Sequence, residues 1–193
     1  MARMSLAVES TLGEELSQLA KKKNMTVYAL TNEIIEAGLE VINEGVELDF
    51  LKDLWKTYRI LKDFDAILLP SEFMDSLLSR LYEKDREFLL SSFYRLGREV
   101  GRYLKILADT PEQLFELGHK LLRFYPLKTV NIKNIGPSIY EVNAFGVGGT
   151  IESTQCVFEL ARGIFEEFRL KIIDSEVSKG LIRLKIQHEP NKA

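Results

Sequence analysis

Near the start of the chain Arg3, Ser5 and Ala7 alternate with Met4, Leu6 and Val8, and Glu9 continues the alternation. Period two over seven residues predicts a half-buried strand, with Met4, Leu6 and Val8 on its inner face and Arg3, Ser5 and Ala7 on its outer face. The outer set has the chemistry to read base-pair edges. A guanidinium can bond guanine O6 and N7 together, a serine hydroxyl can bond purine or pyrimidine edges, and an alanine methyl can touch a thymine methyl. The same residues would also suit an ordinary dimer strand whose polar side chains are simply solvated.

The other candidates are weaker or carry a plainer explanation. Thr26, Val27 and Tyr28 open a second helix, and their backbone amides would point at a phosphate, a contact that needs no side-chain charge. Lys21, Lys22 and Lys23 could reach a nucleic-acid backbone, but a basic run at a helix end more often serves to neutralise the dipole there. Gly146, Gly148 and Gly149 before Thr150 could cradle an anion. No Gly-Lys-Ser/Thr follows them, so a turn that needs positive φ accounts for them as well. Cys156 sits early in an amphipathic helix, as a buried structural thiol or as a contact to a ligand pocket. His119 and His188 have no companion at ligand or catalytic spacing, and no nucleophile–base–acid set is visible. The expectation is a protein that is not an enzyme and holds no metal.

Composition sets the outer bounds. The 193 residues are 46% apolar and 28% charged, with a net charge of −3 and one cysteine. Such a chain can bury a core without disulfides or metal staples. Its apolar runs fall far short of the about 20 residues that cross a bilayer, and no apolar stretch follows Arg3 as in a secretory signal. We therefore expect a cytoplasmic protein without a membrane partner. From Met1 to Gly45 the bases Arg3, Lys21, Lys22 and Lys23 face the acids Glu9, Glu14, Glu15, Glu33, Glu36, Glu40 and Glu44. Any contact with nucleic acid must then be local, because only charges close to phosphates release counterions.

The elements that must position these residues follow from periodicity and caps. Ser10 or Thr11 caps a first helix, Thr11 with Glu14 at capping-box spacing, and Leu12, Leu16, Leu19 and Ala20 share one face. Asn24 can take the left-handed cap after the lysines. Thr26 starts the second helix, through Ala29, Leu30, Ile34, Ala37, Val41 and Ile42, closing near Gly45. Strand, helix, turn and helix in about 45 residues cannot hold a core alone, and the single strand has no partner inside the unit. Across residues 3–45 this pattern resembles the ribbon-helix-helix repressors of the MetJ, Arc and CopG type. The resemblance implies a homodimer that lays a two-stranded antiparallel ribbon in the major groove of double-stranded DNA.

Residues 46–64 read as a linker that becomes a helix, with Leu51, Leu54, Trp55, Tyr58 and Leu61 at helical spacing. Ala66–Leu69 is either a short strand or the entry to a helix through Phe73, Leu77, Leu78 and Leu81. Helices are then predicted over 85–107 and from Pro111 to a point before Pro126. Strands 128–135 and 138–147 join at Gly136-Pro137, a helix runs through Val157 to Phe168, and strands 170–177 and 181–187 join at Ser178-Lys179-Gly180. This order indicates an α+β domain over 65–188, an antiparallel sheet with helices on one face. With Phe145-Gly146-Val147-Gly148-Gly149 before Val157-Phe158-Glu159-Leu160-Ala161-Arg162-Gly163, it resembles the 4-vinyl-reductase-like and haem/nitric-oxide-binding-like superfamily and the related vesicle-tethering fold. The resemblance implies a ligand-binding or interaction domain that often dimerises. Metal-binding members carry several cysteines near the last hairpin, where this chain has Asp174-Ser175-Glu176-Val177-Ser178.

The expectation from sequence is a dimeric transcriptional regulator with an effector or dimerisation domain that could hold a small apolar effector between its sheet and helices. The other reading is an interaction protein in which the N-terminal unit is only a dimer clasp. An antitoxin fits poorly, since the C-terminal part reads as folded. The domain division has a direct consequence: a fragment beginning near Val46 should fold on its own. Circular dichroism of that fragment should show helix and strand with a cooperative melt; a random-coil spectrum would place the division wrongly.

Overall fold

The computed structural model describes residues 5–122 and 128–189; Arg3 and Met4 lie outside the described residues. The fold is α+β, with seven helices and one four-stranded antiparallel sheet among the described residues. The chain divides into two compact units, residues 1–56 and 57–193. The boundary falls inside the helix that was read as a linker.

In the first unit Ser5–Glu9 lies outside regular structure and leads into α1 (Ser10–Lys22) and α2 (Val27–Asn43). A strand's ladder bonds need a neighbour, and residues 5–9 have none among the described residues. The first helix begins one residue earlier than its side chains suggest. Glu9 occupies the cap position without a side-chain cap bond, and Ser10 and Thr11 fall inside the first turn, so the Thr11–Glu14 capping box does not form. The end of α1 follows the sequence. Asn24 adopts φ 55°, and the Met25 amide donates to the Ala20 carbonyl at 2.9 Å, closing the orphan carbonyls of the last turn. Thr26 caps α2 by accepting from the Ala29 amide at 3.1 Å.

α3 (Leu48–Asp63) is followed by an irregular stretch, residues 66–70, before α4 (Ser71–Lys84); Ala66–Leu69 is thus neither strand nor helix. α5 (Arg86–Leu104) stops three residues short of the predicted end, and α6 (Pro111–Leu122) starts at its proline. The sheet is built from β1 (Thr129–Gly136), β2 (Ile139–Val147), β3 (Leu170–Ser178) and β4 (Gly180–His188) in the order β1-β2-β4-β3, with α7 (Ile151–Glu167) between the hairpins in sequence. Rows of directly paired residues show how alternation divides the faces. Ile132, Val142 and Leu184 pair across one row and pack into the core, whereas Lys133, Glu141, Lys185 and Asp174 pair across another. The second row alternates in charge and belongs to the face opposite the core.

The helices are locked to each other by glycines. A Cβ on Gly97 of α5 would lie 2.1 Å from the Leu160 carbonyl oxygen of α7, and one on Gly163 of α7 would lie 2.2 Å from the Tyr94 carbonyl oxygen. Gly101, one turn after Gly97, meets the Ile164 Cα at 3.1 Å in the same sense. The two backbones thus touch directly. Alanine inside a helix is ordinarily favoured over glycine by about 1 kcal/mol; here its methyl has no room, and forced overpacking costs about 1–3 kcal/mol or more. Gly163→Ala should therefore lower the urea midpoint of the protein. Gly118→Ala on α6, where nothing among the described residues lies within 4 Å of the new Cβ, should leave the midpoint unchanged or raise it. Equal midpoints for Gly163→Ala and the parent would contradict the direct contact.

Candidate functional site

Of the residues expected to meet DNA bases, Ser5 and Ala7 are exposed and Arg3 lies outside the described residues. The side chains expected beneath the ribbon are exposed too: Leu6 is 63% and Val8 62% accessible. The expected phosphate contacts stand at the start of α2 in the same unit. Thr26 accepts the Ala29 amide with its hydroxyl, and Val27 and Tyr28 form the first turn that follows. No acidic residue stands in that first turn, and Val27 and Tyr28 are exposed. The lysines at 21–23 are exposed at the end of α1, where they complement its dipole.

The first unit is almost without a core. Among its described residues only Ala20 and Leu30 are buried, while Leu12, Leu19, Ile34, Ile35, Leu39 and Ile42 are exposed on α1 and α2. Of these, Leu12, Leu19, Ile34 and Ile42 are positions that periodicity assigns to an inner face.

Cys156 belongs to the second unit. It is wholly buried against Leu78 of α4 and Leu89 of α5. Burial, reinforced by Glu152 and Glu159, pushes its thiol up to about 11, so it is a packed, neutral side chain rather than a nucleophile. The space between sheet and helices, where an apolar ligand was expected, is filled by Leu104, Tyr140, Val142, Phe168, Leu184 and Ile186.

The glycine loop before α7 is an internal joint. Gly146 and Gly148 take φ 76° and 72°, the positive values the turn requires. The amide of Gly149 donates to Asp75 Oδ2 of α4 at 2.9 Å, and Ser153 Oγ donates to Asp75 Oδ1 at 2.5 Å. Asp75 thus supplies the anion that the loop could have bound. Beside it the buried Thr154 hydroxyl lies 2.7 Å from the Val147 carbonyl and 2.8 Å from that of Thr150, and accepts from the Gly180 amide at 3.0 Å. One hydroxyl ties together the end of β2, the start of α7 and the β3–β4 turn. Nothing in the sequence singled out Asp75 or Thr154, whose partners lie up to 78 residues away; the Gly97–Gly101 spacing was visible, but not the helix it faces.

A mixed-charge cleft lies elsewhere on the second unit. Arg86, Glu87, Leu90 and Ser91 of α5 and Glu159 and Arg162 of α7 line a volume of about 400 Å³. Burial raises the Glu159 carboxyl above its ordinary value, against the opposing effect of Arg162.

The thiol gives a pH test. An exposed cysteine ionises at about 8.5, whereas Cys156 in the folded protein ionises near 11. The unfolded chain therefore loses this proton first, so its contribution to stability is full below about pH 8.5 and falls as pH rises towards 11. Cys156→Ser or Cys156→Ala should flatten this part of the stability profile, and the native thiol should resist alkylation at pH 8 until the protein is unfolded. Rapid alkylation of the native protein would show that the site opens.

No protein-family model, no curated protein and no solved structure matches the chain.

Proposed function

We propose that the protein is a dimeric, sequence-specific DNA-binding regulator of transcription, in which residues 3–8 of two copies form an antiparallel ribbon for the major groove. The observation that carries this reading is the missing core of the first unit. A unit of 56 residues whose described residues bury only Ala20 and Leu30 cannot offset its chain entropy alone. Its exposed leucines and isoleucines at helical spacing, with Leu6 and Val8 at strand spacing, form one set that a second copy would cover. Pairing Ser5–Glu9 with its symmetry mate would satisfy the strand's backbone and turn Ser5 and Ala7 outward with Arg3. The first turn of α2, with its helix dipole, would then face phosphate, and the second unit would act in the cytoplasm as an effector or dimerisation module.

One observation favours the clasp reading instead. The first 45 residues carry seven carboxylates against four bases, which weakens attraction to any polyanion. Under that reading the dimer forms but reads nothing.

Light scattering at micromolar concentration should give a dimer mass; a monomer would overturn both readings. Arg3→Ala should abolish sequence-selective binding in a shift assay with selected duplexes while leaving the dimer intact, since one bidentate contact discriminates by about 1–3 kcal/mol and the dimer has two. Leu6→Ala should do the reverse, costing roughly 2–5 kcal/mol of stability through a cavity beneath the ribbon. Unchanged affinity and selectivity in Arg3→Ala would put the clasp reading first.

A further inference from the structure

Helix α4 is apolar on two sides. Leu78 faces inward with Leu89 and Cys156, and Met74 and Tyr82 pack against that cluster. A helix with one covered stripe is normally polar on its other side. Here that side carries Phe73, Leu77 and Leu81 in one row at intervals of four. All three are exposed, Phe73 at 56% and each leucine at 41%. Ile67, Leu68 and Leu69, in the stretch that leads into α4, are exposed as well, Leu68 at 86%.

A large side chain spans about 150–250 Å², so these six show water on the order of 600 Å² of apolar surface. The largest patch on a typical monomer is about 300–600 Å². With the polar side chains between them, the six approach the about 800 Å² that each partner gives to a standard interface.

The row is also complementary to itself. Leu77 stands at the middle of α4, with Phe73 four residues before it and Leu81 four after. A two-fold axis beside Leu77 that runs two copies of α4 antiparallel sets Phe73 against the partner's Leu81 and Leu77 against the partner's Leu77. Charge follows the same register. Glu72 lies five residues before Leu77, and Arg80 and Lys84 lie three and seven after it. At a constant rise per residue, Glu72 then comes level with the gap between the partner's Arg80 and the partner's Lys84. Only Glu83 adds a like charge at that level. Glu72, Arg80 and Lys84 are exposed and have no ion pair among the described residues. A parallel pairing would instead bring each charge level with its own copy.

We infer that the second unit docks on a second copy of itself through this face, α4 against α4, antiparallel about Leu77. The inference rests on the reading of that unit as a dimerisation module and deepens it; it does not depend on whether the first unit reads DNA.

Cysteine crosslinking of the full chain tests the register directly. The single native thiol, Cys156, is wholly buried, so mild oxidation reports the introduced cysteine. Leu77→Cys at micromolar concentration should form a disulfide-linked dimer at least about tenfold more than Lys179→Cys on the exposed β3–β4 turn, because docking holds the two thiols at millimolar effective concentration. Phe73→Cys mixed with Leu81→Cys should crosslink to each other, identified by mass spectrometry, and neither should crosslink to itself. Should Leu77→Cys be destabilised, the mixed pair carries the test. A Leu77→Cys yield no higher than the Lys179→Cys control, in a protein that light scattering shows to be a dimer, overturns this docking and leaves the dimer itself standing. Self-crosslinking of Phe73→Cys overturns the antiparallel register, and a monomer mass overturns docking and dimer together.

Discussion

At the centre of the contact between α5 and α7 backbone meets backbone through glycines, and the second unit is organised around that fact. Gly97 and Gly163 bring the two backbones within the space a single methyl would occupy. With the glycine faces turned to each other, the larger residues of both helices are released for other surfaces. Leu104 of α5 and Phe168 at the end of α7 enter the core over the sheet, and Val100, Phe158, Ile164 and Phe165 pack against it. A close approach of this kind gains dispersion along its whole length but tolerates no added atom. It trades the usual adaptability of a leucine-lined interface for a fixed separation.

Polar groups then set the height and direction of α7. Thr150 caps it by accepting from the Ser153 amide, Thr154 bonds it to both hairpins, and Asp75 ties its first turn to α4. Each of these buried or half-buried groups has a partner, which is why the cluster adds to specificity without a large cost. Further along the same helix the largely buried Glu159 is held by its ion pair with Arg162 at 2.5 Å.

The first unit obeys a different constraint. Its two helices are well joined, through Asn24, the Met25–Ala20 bond and the Thr26 cap, yet its apolar residues have almost nothing to face. Local hydrogen bonds fix the shape of a helix pair, but only burial of apolar surface makes it stable. Its acidic balance adds a second demand: recognition by this unit would rely on a few directed contacts and on backbone amides, since bulk charge opposes it.

Local interactions made much of this legible in the sequence. The alternation at Val130–Ile132 and Leu184–Ile186, the proline that opens α6, the left-handed Asn24 and the threonine cap at 26 each act within a few residues, so the α+β class, the order of the helices and sheet strands and most of their ends are already legible locally. It failed where neighbours in space outrank neighbours in the chain. Ser10 and Thr11 carry a good capping pattern, but the helix begins ahead of them. Gly97 and Gly163 look like helix-weakening residues until α5 and α7 meet, and Gly149 looks like an anion loop until Asp75 reaches it from 74 residues away. The pairing of β2 with β4 likewise belongs to the packed unit and not to any local pattern. Short-range capping and periodicity are written residue by residue, whereas which backbone fills a given gap depends on the packing of the whole unit.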